Sequence, residues 1–357
     1  MGHLDFALSV HRALAPDVSE QACWSPYSMA AALNLLTLGA RGRTRDELVD
    51  LLGEDVEALA ATLAESPAQD DDDKVAYAVA NTLWVDAQTP VEQGFAAALS
   101  GGVRNAPFRA EPEKARDAIN ADVAGTTRDL IPELIPPGLI SSDTIAALVN
   151  ALYLKTGWRK EFQRSGTQDM PFHTPHGAVD VPTMRVSHKV SYRAQDGWQA
   201  VSIPAQGLVE ATVLLPDAPL AEAEPQLTGD LLRTLLSPAP ARQVALWLPK
   251  FSLDASYEAE KALQLLGIRS VFDEIGADLS GISAERLRVD TILHKAVLTI
   301  DEQGLEGAAA TAAIMTRGGP PRVEEPVQVV VDRPFLFLVR HRAAGLTYFL
   351  ARVVNPA

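Results

Sequence analysis

Residues 301–326 constrain the fold more than any other part of the chain, because they form a long connection between two segments typical of β-strands. Residues 297–300 (VLTI) precede the connection and residues 327–331 (VQVVV) follow it. Loops longer than about 15 residues are uncommon and are usually functional or disordered. Residues 307–313 are small and residues 316–321 are flexible and polar. Small side chains can enter between strands of an existing sheet, so we interpret this segment as a functional loop. A linker or a short alanine-rich helix is the alternative.

The first third of the chain reads mainly as helices. Ser25 and Pro26 predict a helix start, because the serine hydroxyl can accept a hydrogen bond from a first-turn N–H and proline lacks an N–H that would stay unpaired there. Apolar residues follow at helical spacing, and Gly39 stands where a C′ glycine would end the helix.

Strand-like runs occupy much of the remaining chain, at residues 244–248, 297–300, 327–331, 335–339 and 348–354. Residues 340–345 can join the last two runs as a hairpin. Helices followed by strands without regular alternation indicate an α+β fold rather than a doubly wound sheet. We find no repeat and no dividing linker, so we predict a single domain over residues 1–357.

Charge and composition exclude several classes of partner. The chain has 31 Lys and Arg residues against 46 Asp and Glu residues, a net charge of −15, whereas nucleic-acid binding requires a basic surface. No run of 18 apolar residues predicts a membrane span. Cys23 is the only cysteine, which excludes an intramolecular disulfide. The first residues do not resemble a signal peptide, so we expect a cytoplasmic protein or the mature form of a secreted one. Abundant alanine with arginine and aspartate suggests a GC-rich bacterial gene.

The sequence lacks the common catalytic motifs: a GxSxG elbow, a GxGxxG loop, a Walker loop and an HExxH helix. His173 and His176 have helical metal spacing, but they flank a proline that would break a helix. We therefore predict no metal site and no cofactor. Residues 70–74 (DDDDK) are interpreted as an exposed loop, with nicking by a protease as the alternative.

Six short segments, in order along nearly the whole chain, resemble the signatures of the serpin family: residues 25–28 (SPYS), 150–158 (NALYLKTGW), 248–251 (LPKF), 294–304 (HKAVLTIDEQG), the run from Phe335, and 352–356 (RVVNP). The resemblance implies a serpin fold, with helices around a large central mixed sheet, further antiparallel sheets and a mobile reactive-centre loop at about residues 302–326.

The resemblance also implies a function. A serpin is an inhibitor rather than an enzyme, and its partner is a serine protease. The protease serine attacks the reactive-centre loop to form an acyl-enzyme. The cleaved loop then inserts into the main sheet as a new strand, and about 15 residues at about 3.3 Å each carry the tethered protease on the order of 50 Å. We expect a monomer without cofactors.

The resemblance assigns roles to individual residues. The hinge of the loop is formed by Glu302, Gly304, Leu305, Gly307, Ala308, Ala309 and Ala310. The breach, where the loop enters the sheet, is formed by Trp158 and by an ion pair between Lys250 and Glu302. The shutter, which governs opening of the sheet, is formed by Ser25, Ser28, Asn150 and His294.

The sequence offers three candidate positions for the reactive bond. Counting from Glu302 gives Gly318-Gly319, but glycine offers no side chain to a protease pocket. We favour Arg317-Gly318, which suits a trypsin-like protease with an acidic pocket. Met315-Thr316 would suit a chymotrypsin-like or subtilisin-like protease.

Two alternatives to inhibition remain. Leu305 replaces the usual small hydroxyl residue and Gly307 replaces an alanine, so slow insertion would give a non-inhibitory serpin that is cleaved as a substrate, with a chaperone, carrier or storage role. A hydrolase using Ser25 or Ser28 with His294 is the second alternative, and it would need an accessible histidine and an orienting carboxylate.

Overall fold

The computed structural model describes residues 2–53, 75–98, 102–305 and 325–357, without the side chains of residues 77, 97 and 98. Eight α-helices lie in these ranges: α1 His3–Leu14, α2 Pro26–Gly39, α3 Gly42–Leu52, α4 Gln93–Ala98, α5 Pro112–Thr126, α6 Leu220–Ala223, α7 Gly229–Leu236 and α8 Glu260–Leu265. The described ranges also hold fifteen strands: β1 Ala22–Trp24, β2 Val75–Asp86, β3 Val103–Ala106, β4 Ala146–Gly157, β5 Gln168–Thr174, β6 Gly177–Gln195, β7 Trp198–Pro204, β8 Val209–Pro216, β9 Ala241–Pro249, β10 Phe251–Glu258, β11 Thr291–Ile300, β12 Gly304–Leu305, β13 Val327–Val330, β14 Phe335–His341 and β15 Thr347–Val353. The α+β prediction is confirmed.

Helix α2 begins as the sequence predicts but ends differently. Ser25 caps it by accepting a hydrogen bond from the N–H of Ser28, and Pro26 is the first helical residue. Gly39 is the last helical residue and not a C′ glycine, so that prediction is wrong. A Cβ on Gly39 would lie 2.1 Å from a side-chain carbon of Ile282. Close packing, rather than a left-handed backbone, therefore accounts for this glycine.

The central sheet has six strands in the order β10-β11-β12-β4-β2-β3. It is mixed: β11 and β4 run parallel over six residue pairs from Thr291 and Ala147, and the short β12 lies antiparallel between their far ends. Helix α5 covers one face of this sheet, and its buried Ile119 and Val123 belong to an apolar cluster with Val149 of β4.

The other strands form one continuous nine-stranded sheet in the order β1-β15-β14-β8-β7-β6-β9-β13, with β5 attached to β6. The sequence indicated several further antiparallel sheets. They join into one path because β6, with 19 residues, is long enough to pair with β5, β7 and β9. The predicted hairpin between β14 and β15 is confirmed. An apolar cluster between the two sheets, which we call the inter-sheet core, includes Leu152, Leu298 and Phe337.

Candidate functional site

Strand β12 shows where residues 302–305 meet the central sheet. Gly304 lies opposite Gly157, and Leu305 lies opposite both Thr156 on β4 and Ile300 on β11. Leu305 is 0% exposed and belongs to the inter-sheet core. The Leu305 side chain is therefore accommodated between the two strands. Whether it slows the insertion of the residues that follow stays a prediction.

An ion pair lies directly before this strand. Glu302 is buried, and its Oε2 lies 3.0 Å from Nζ of Lys250. Its Oε1 accepts a hydrogen bond of 2.7 Å from the hydroxyl of Thr167. Burial alone would raise the pKa of Glu302, but the contacts with Thr167 and Lys250 outweigh it and lower the pKa below its usual value. The carboxylate is therefore held ionised where the segment enters the sheet.

Trp158 fixes the turn that leads into β12. Its backbone N–H donates to the carbonyl of Gln303 at 2.9 Å, and its Nε1 donates to the carbonyl of Asp301, also at 2.9 Å. The Asp301 carboxylate accepts from the N–H groups of Gln303 and Gly304 at 2.8 and 3.1 Å. The indole is 1% exposed. Trp158 and Asp301 together hold both sides of the turn. The contributions of Thr167 and Asp301 were not predicted from the sequence.

A row of polar side chains crosses four strands at one level of the central sheet. Strand register places Asn81 of β2 opposite Asn150 of β4, Asn150 opposite His294 of β11, and His294 opposite Tyr257 of β10. Asn150 Nδ2 lies 2.7 Å from both the carbonyl and the hydroxyl oxygen of Ser28, and it also contacts Asn81 Oδ1. The row ties α2 to the sheet. Asn81 was missed from sequence, although an asparagine within the apolar run of β2 is itself a signal.

The environment of His294 defines its protonation state. Nε2 accepts a hydrogen bond of 2.9 Å from the N–H of Ser25, and Nδ1 bonds to Oδ1 of Asn150. The ring is therefore neutral, with its proton on Nδ1. Burial lowers the pKa of His294 to about 3. Its ring is 0% exposed and both of its nitrogens have partners, so it does not meet the requirement for an accessible histidine in the hydrolase alternative.

Most of the predicted loop lies outside the described residues: Gly307, Ala308, Ala309, Ala310, Met315, Thr316, Arg317, Gly318 and Gly319, as does the acidic run at residues 70–74. Within the described ranges, no helix is both long and apolar enough to cross a membrane. The same ranges contain no group of three or more His, Cys, Asp or Glu side chains placed to hold a metal ion.

Comparison with known proteins identifies the family. The family model described as "Serpin (serine protease inhibitor)" matches residues 1–356. The chain belongs to the serpin family. Serpins are generally protease inhibitors rather than enzymes.

Two curated relatives span most of this serpin. Iripin-2 of Ixodes ricinus is 34% identical over 98% of this chain and 91% of its own length. The plasma serine protease inhibitor of Bos taurus is 30% identical over 99% of this chain and 90% of its own length. Both organisms are animals, and the bacterial origin suggested by composition stays a prediction.

Solved serpin structures share the fold. Uncleaved ovalbumin has a TM-score of 0.87 at 24% identity, covering 99% of this chain and 98% of its own. Thyroxine-binding globulin in complex with thyroxine has a TM-score of 0.86 at 25% identity and covers 99% of this chain and 98% of its own. The predicted serpin fold is confirmed.

Proposed function

We propose that this serpin inhibits a serine protease by a suicide-substrate mechanism. Residues 302–326 act as the reactive-centre loop. Formation of the acyl-enzyme breaks the reactive peptide bond and releases its amine end, which lets the loop insert between β4 and β11. The observation that carries the proposal is Leu305, which is already paired with both strands and fully buried. The first step of insertion therefore requires no new opening at this level of the sheet.

The alternation of side chains supports continued insertion. Because Leu305 points into the inter-sheet core, residues 307, 309, 311, 313 and 315 would point inward in the same strand. Their side chains are those of Gly, Ala, Thr, Ala and Met. Glu306, the charged residue of this stretch, would point outward. Burying an unpaired charge costs roughly several kcal/mol, whereas burying small and apolar side chains carries no such cost.

Two polar clusters have positions suited to controlling the insertion. The Glu302–Lys250 pair with Trp158 holds the turn before β12, which we assign as the breach. The row through Asn150 and His294, with Ser25 and Ser28, closes β4 onto β11 lower in the sheet, which we assign as the shutter. An inserting strand must separate Asn150 from His294, so this row sets the barrier to insertion.

The target is proposed to be a trypsin-like protease that cleaves Arg317-Gly318. An arginine side chain suits an acidic primary pocket. Met315-Thr316 would shift the target to a chymotrypsin-like or subtilisin-like protease and would shorten the inserted segment by two residues. The proposed inhibitor acts as a monomer in a one-to-one complex.

The test mixes the protein with trypsin, chymotrypsin and subtilisin and separates the products on denaturing gels. A complex that survives SDS, together with the mass of the released C-terminal peptide, supports trapping and identifies the bond. Cleavage in the loop without a complex and without a gain in thermal stability contradicts it. That result would favour the non-inhibitory alternative, with Gly307 as the remaining departure to examine.

Two variants give a matched control. Ala309→Arg places a charge at a position predicted to face the inter-sheet core, and Glu306→Arg places the same charge level with Lys155 and Thr299, which are both partly exposed. We expect Ala309→Arg to be cleaved as a substrate, whereas Glu306→Arg still forms the complex. Equal complex formation by both variants contradicts insertion in this register.

A further inference from the structure

A charged cleft lies at the far end of the central sheet from Leu305. Its volume is about 510 Å³, and its walls include Arg109, Asp143, Ile145, Glu274, Arg286 and Arg288. We call it the distal cleft. Three arginines converge here in a chain whose net charge is −15.

Strand register places the distal cleft at the end of the path of insertion. Ten positions beyond Leu305, residue 315 would lie opposite Ala146 on β4 and level with Asp290, just before β11. Counting along β4 and counting along β11 give the same level. Thr291 of β11 is paired with Ala147 of β4, so Asp290 is level with Ala146. Residues 316 and 317 would therefore pass beyond the strands, and residue 317 would reach the level of Arg288.

Asp290 separates the distal cleft from the strands. Its Oδ2 accepts from the N–H groups of Ile145 and Ala146 at 2.6 and 3.1 Å, and its own N–H donates to the carbonyl of Ala146 at 3.0 Å. These hydrogen bonds close β4 onto the chain before β11. A segment that continues past residue 315 displaces them and then meets the arginines.

The three arginines differ in how closely acidic side chains pair with them. Arg288 bonds to Asp290 at 2.8 Å and lies 3.4 Å from Glu274. Arg109 Nε lies 3.9 Å from Asp86. Arg286 is exposed and has no ion pair with any residue that the structure describes. Arg286 is thus the cation most available to a new anion, and arginine suits a carboxylate because its planar donors match two oxygens.

We propose that the distal cleft binds the α-carboxylate of Arg317 in the cleaved, inserted form of the protein. The inference rests on the proposed function. Hydrolysis breaks the C–N bond between Arg317 and Gly318, and water supplies the hydroxyl of the new acid and the proton of the new amine. The carboxylate meets Arg286 and Arg288, and Asp143 and Glu274 offer partners to the Arg317 guanidinium. The cleft therefore recognises a chain that ends in arginine two residues past the strands.

Synthetic peptides test this site on the intact full-length protein. Residues 306–317, which follow the position already occupied by Leu305, are prepared with a C-terminal acid or a C-terminal amide, and residues 306–315 are prepared in the same two forms. Binding is measured by native gel titration. We expect the acid of 306–317 to bind about tenfold more tightly than its amide, in line with a charge-assisted hydrogen bond. The acid and amide of 306–315 should bind equally, because they end before the cleft.

Arg286→Ala should remove most of the preference for the acid, and Arg342→Ala, which changes an exposed arginine of the β14–β15 hairpin, should leave it intact. If the peptides bind but the acid and amide of 306–317 bind equally, the distal cleft is not a carboxylate site while the proposed insertion stands. If no peptide binds, the sheet does not admit a further strand, and the proposed function fails with the inference. Loss of the preference in both arginine variants also contradicts the assignment to Arg286.

Discussion

Gly304 and Gly157 lie directly opposite each other where β12 meets β4. A Cβ on Gly304 would lie 2.1 Å from the carbonyl oxygen of Thr156 and 2.7 Å from Cα of Gly157. Both contacts are with backbone, which cannot move aside as a flexible side chain can. The close pairing of Leu305 with the sheet therefore depends on a glycine immediately before it.

Gly304→Ala should destabilise the intact protein. The added methyl collides with β4, and overpacking of this kind costs about 1–3 kcal/mol. We expect a melting temperature several degrees lower in a calorimetric scan. Gly166→Ala is the matched control, because a Cβ there meets nothing within 4 Å. Equal melting temperatures for the two variants would show that β12 does not pack as described.

Glu302→Gln should weaken the protein in a pH-dependent way. The pKa of Glu302 is lowered in the folded state, so its contribution is present above the ordinary carboxyl pKa and is lost as pH falls through the folded value. We expect a loss of about 1 kcal/mol near pH 7 in urea unfolding. The gap to the wild type should close in acid. Glu258→Gln, an exposed glutamate of β10, should show no such gap, and a gap independent of pH would contradict the role of charge.

His294→Asn should flatten the acid limb of the stability profile. Because the folded pKa is about 3 against an ordinary value of 6.5, the unfolded chain binds one more proton between these values. Stability therefore falls as pH drops, by about 1.4 kcal/mol per pH unit for one proton. Urea unfolding between pH 4 and 6 should give a smaller slope for the variant by about that amount. Parallel slopes would mean that His294 is protonated in the folded protein.

Asp290→Asn should speed the uptake of the 306–317 peptide. The change removes the negative charge that accepts from Ile145 and Ala146, so the strands part more readily at this level. We expect a several-fold faster rate of complex formation on native gels, with the intact protein melting at a lower temperature. The rate should increase less for the 306–315 peptide, which ends level with Asp290. An unchanged rate for both peptides would show that opening here does not limit uptake.

Glu224→Ala should be among the most damaging changes. Arg352 is fully buried, and its Nε donates to Glu224 at 2.6 Å while His11 contacts the same carboxylate at 3.2 Å. Removing Glu224 leaves a buried charge without its partner, which costs about 3–5 kcal/mol. Arg233→Ala, which breaks an exposed pair with Asp5, should cost far less, because water screens the attraction between exposed charges. Equal losses of unfolding free energy for the two variants would contradict the conclusion that the Glu224–Arg352 pair is buried and the Asp5–Arg233 pair is exposed.

Local patterns in the sequence determined much of this protein. The start of α2 at Ser25-Pro26, the β14–β15 hairpin and the α+β class depend on short-range preferences of the backbone, which a sequence shows directly. The serpin signatures are likewise contiguous segments. The prediction that Gly39 lies just beyond the end of α2 was wrong, because this glycine is required by close packing against Ile282, a residue far along the chain.

The family resemblance grouped Asn150 with His294 and Lys250 with Glu302, but only the tertiary structure shows how these distant side chains meet. Asn150 and His294 are 144 positions apart, and the parallel register of β4 and β11 is what brings their side chains into contact. The same register sets where an inserted segment would end, beyond Asp290 and beside the arginines of the distal cleft. No hairpin turn joins β4 to β11 to set their register, and an alternating pattern only determines which face of each strand is buried, so a local pattern does not specify how two distant strands align. That is why the sequence could name a hinge and a family, while the structure alone placed Leu305 inside the sheet.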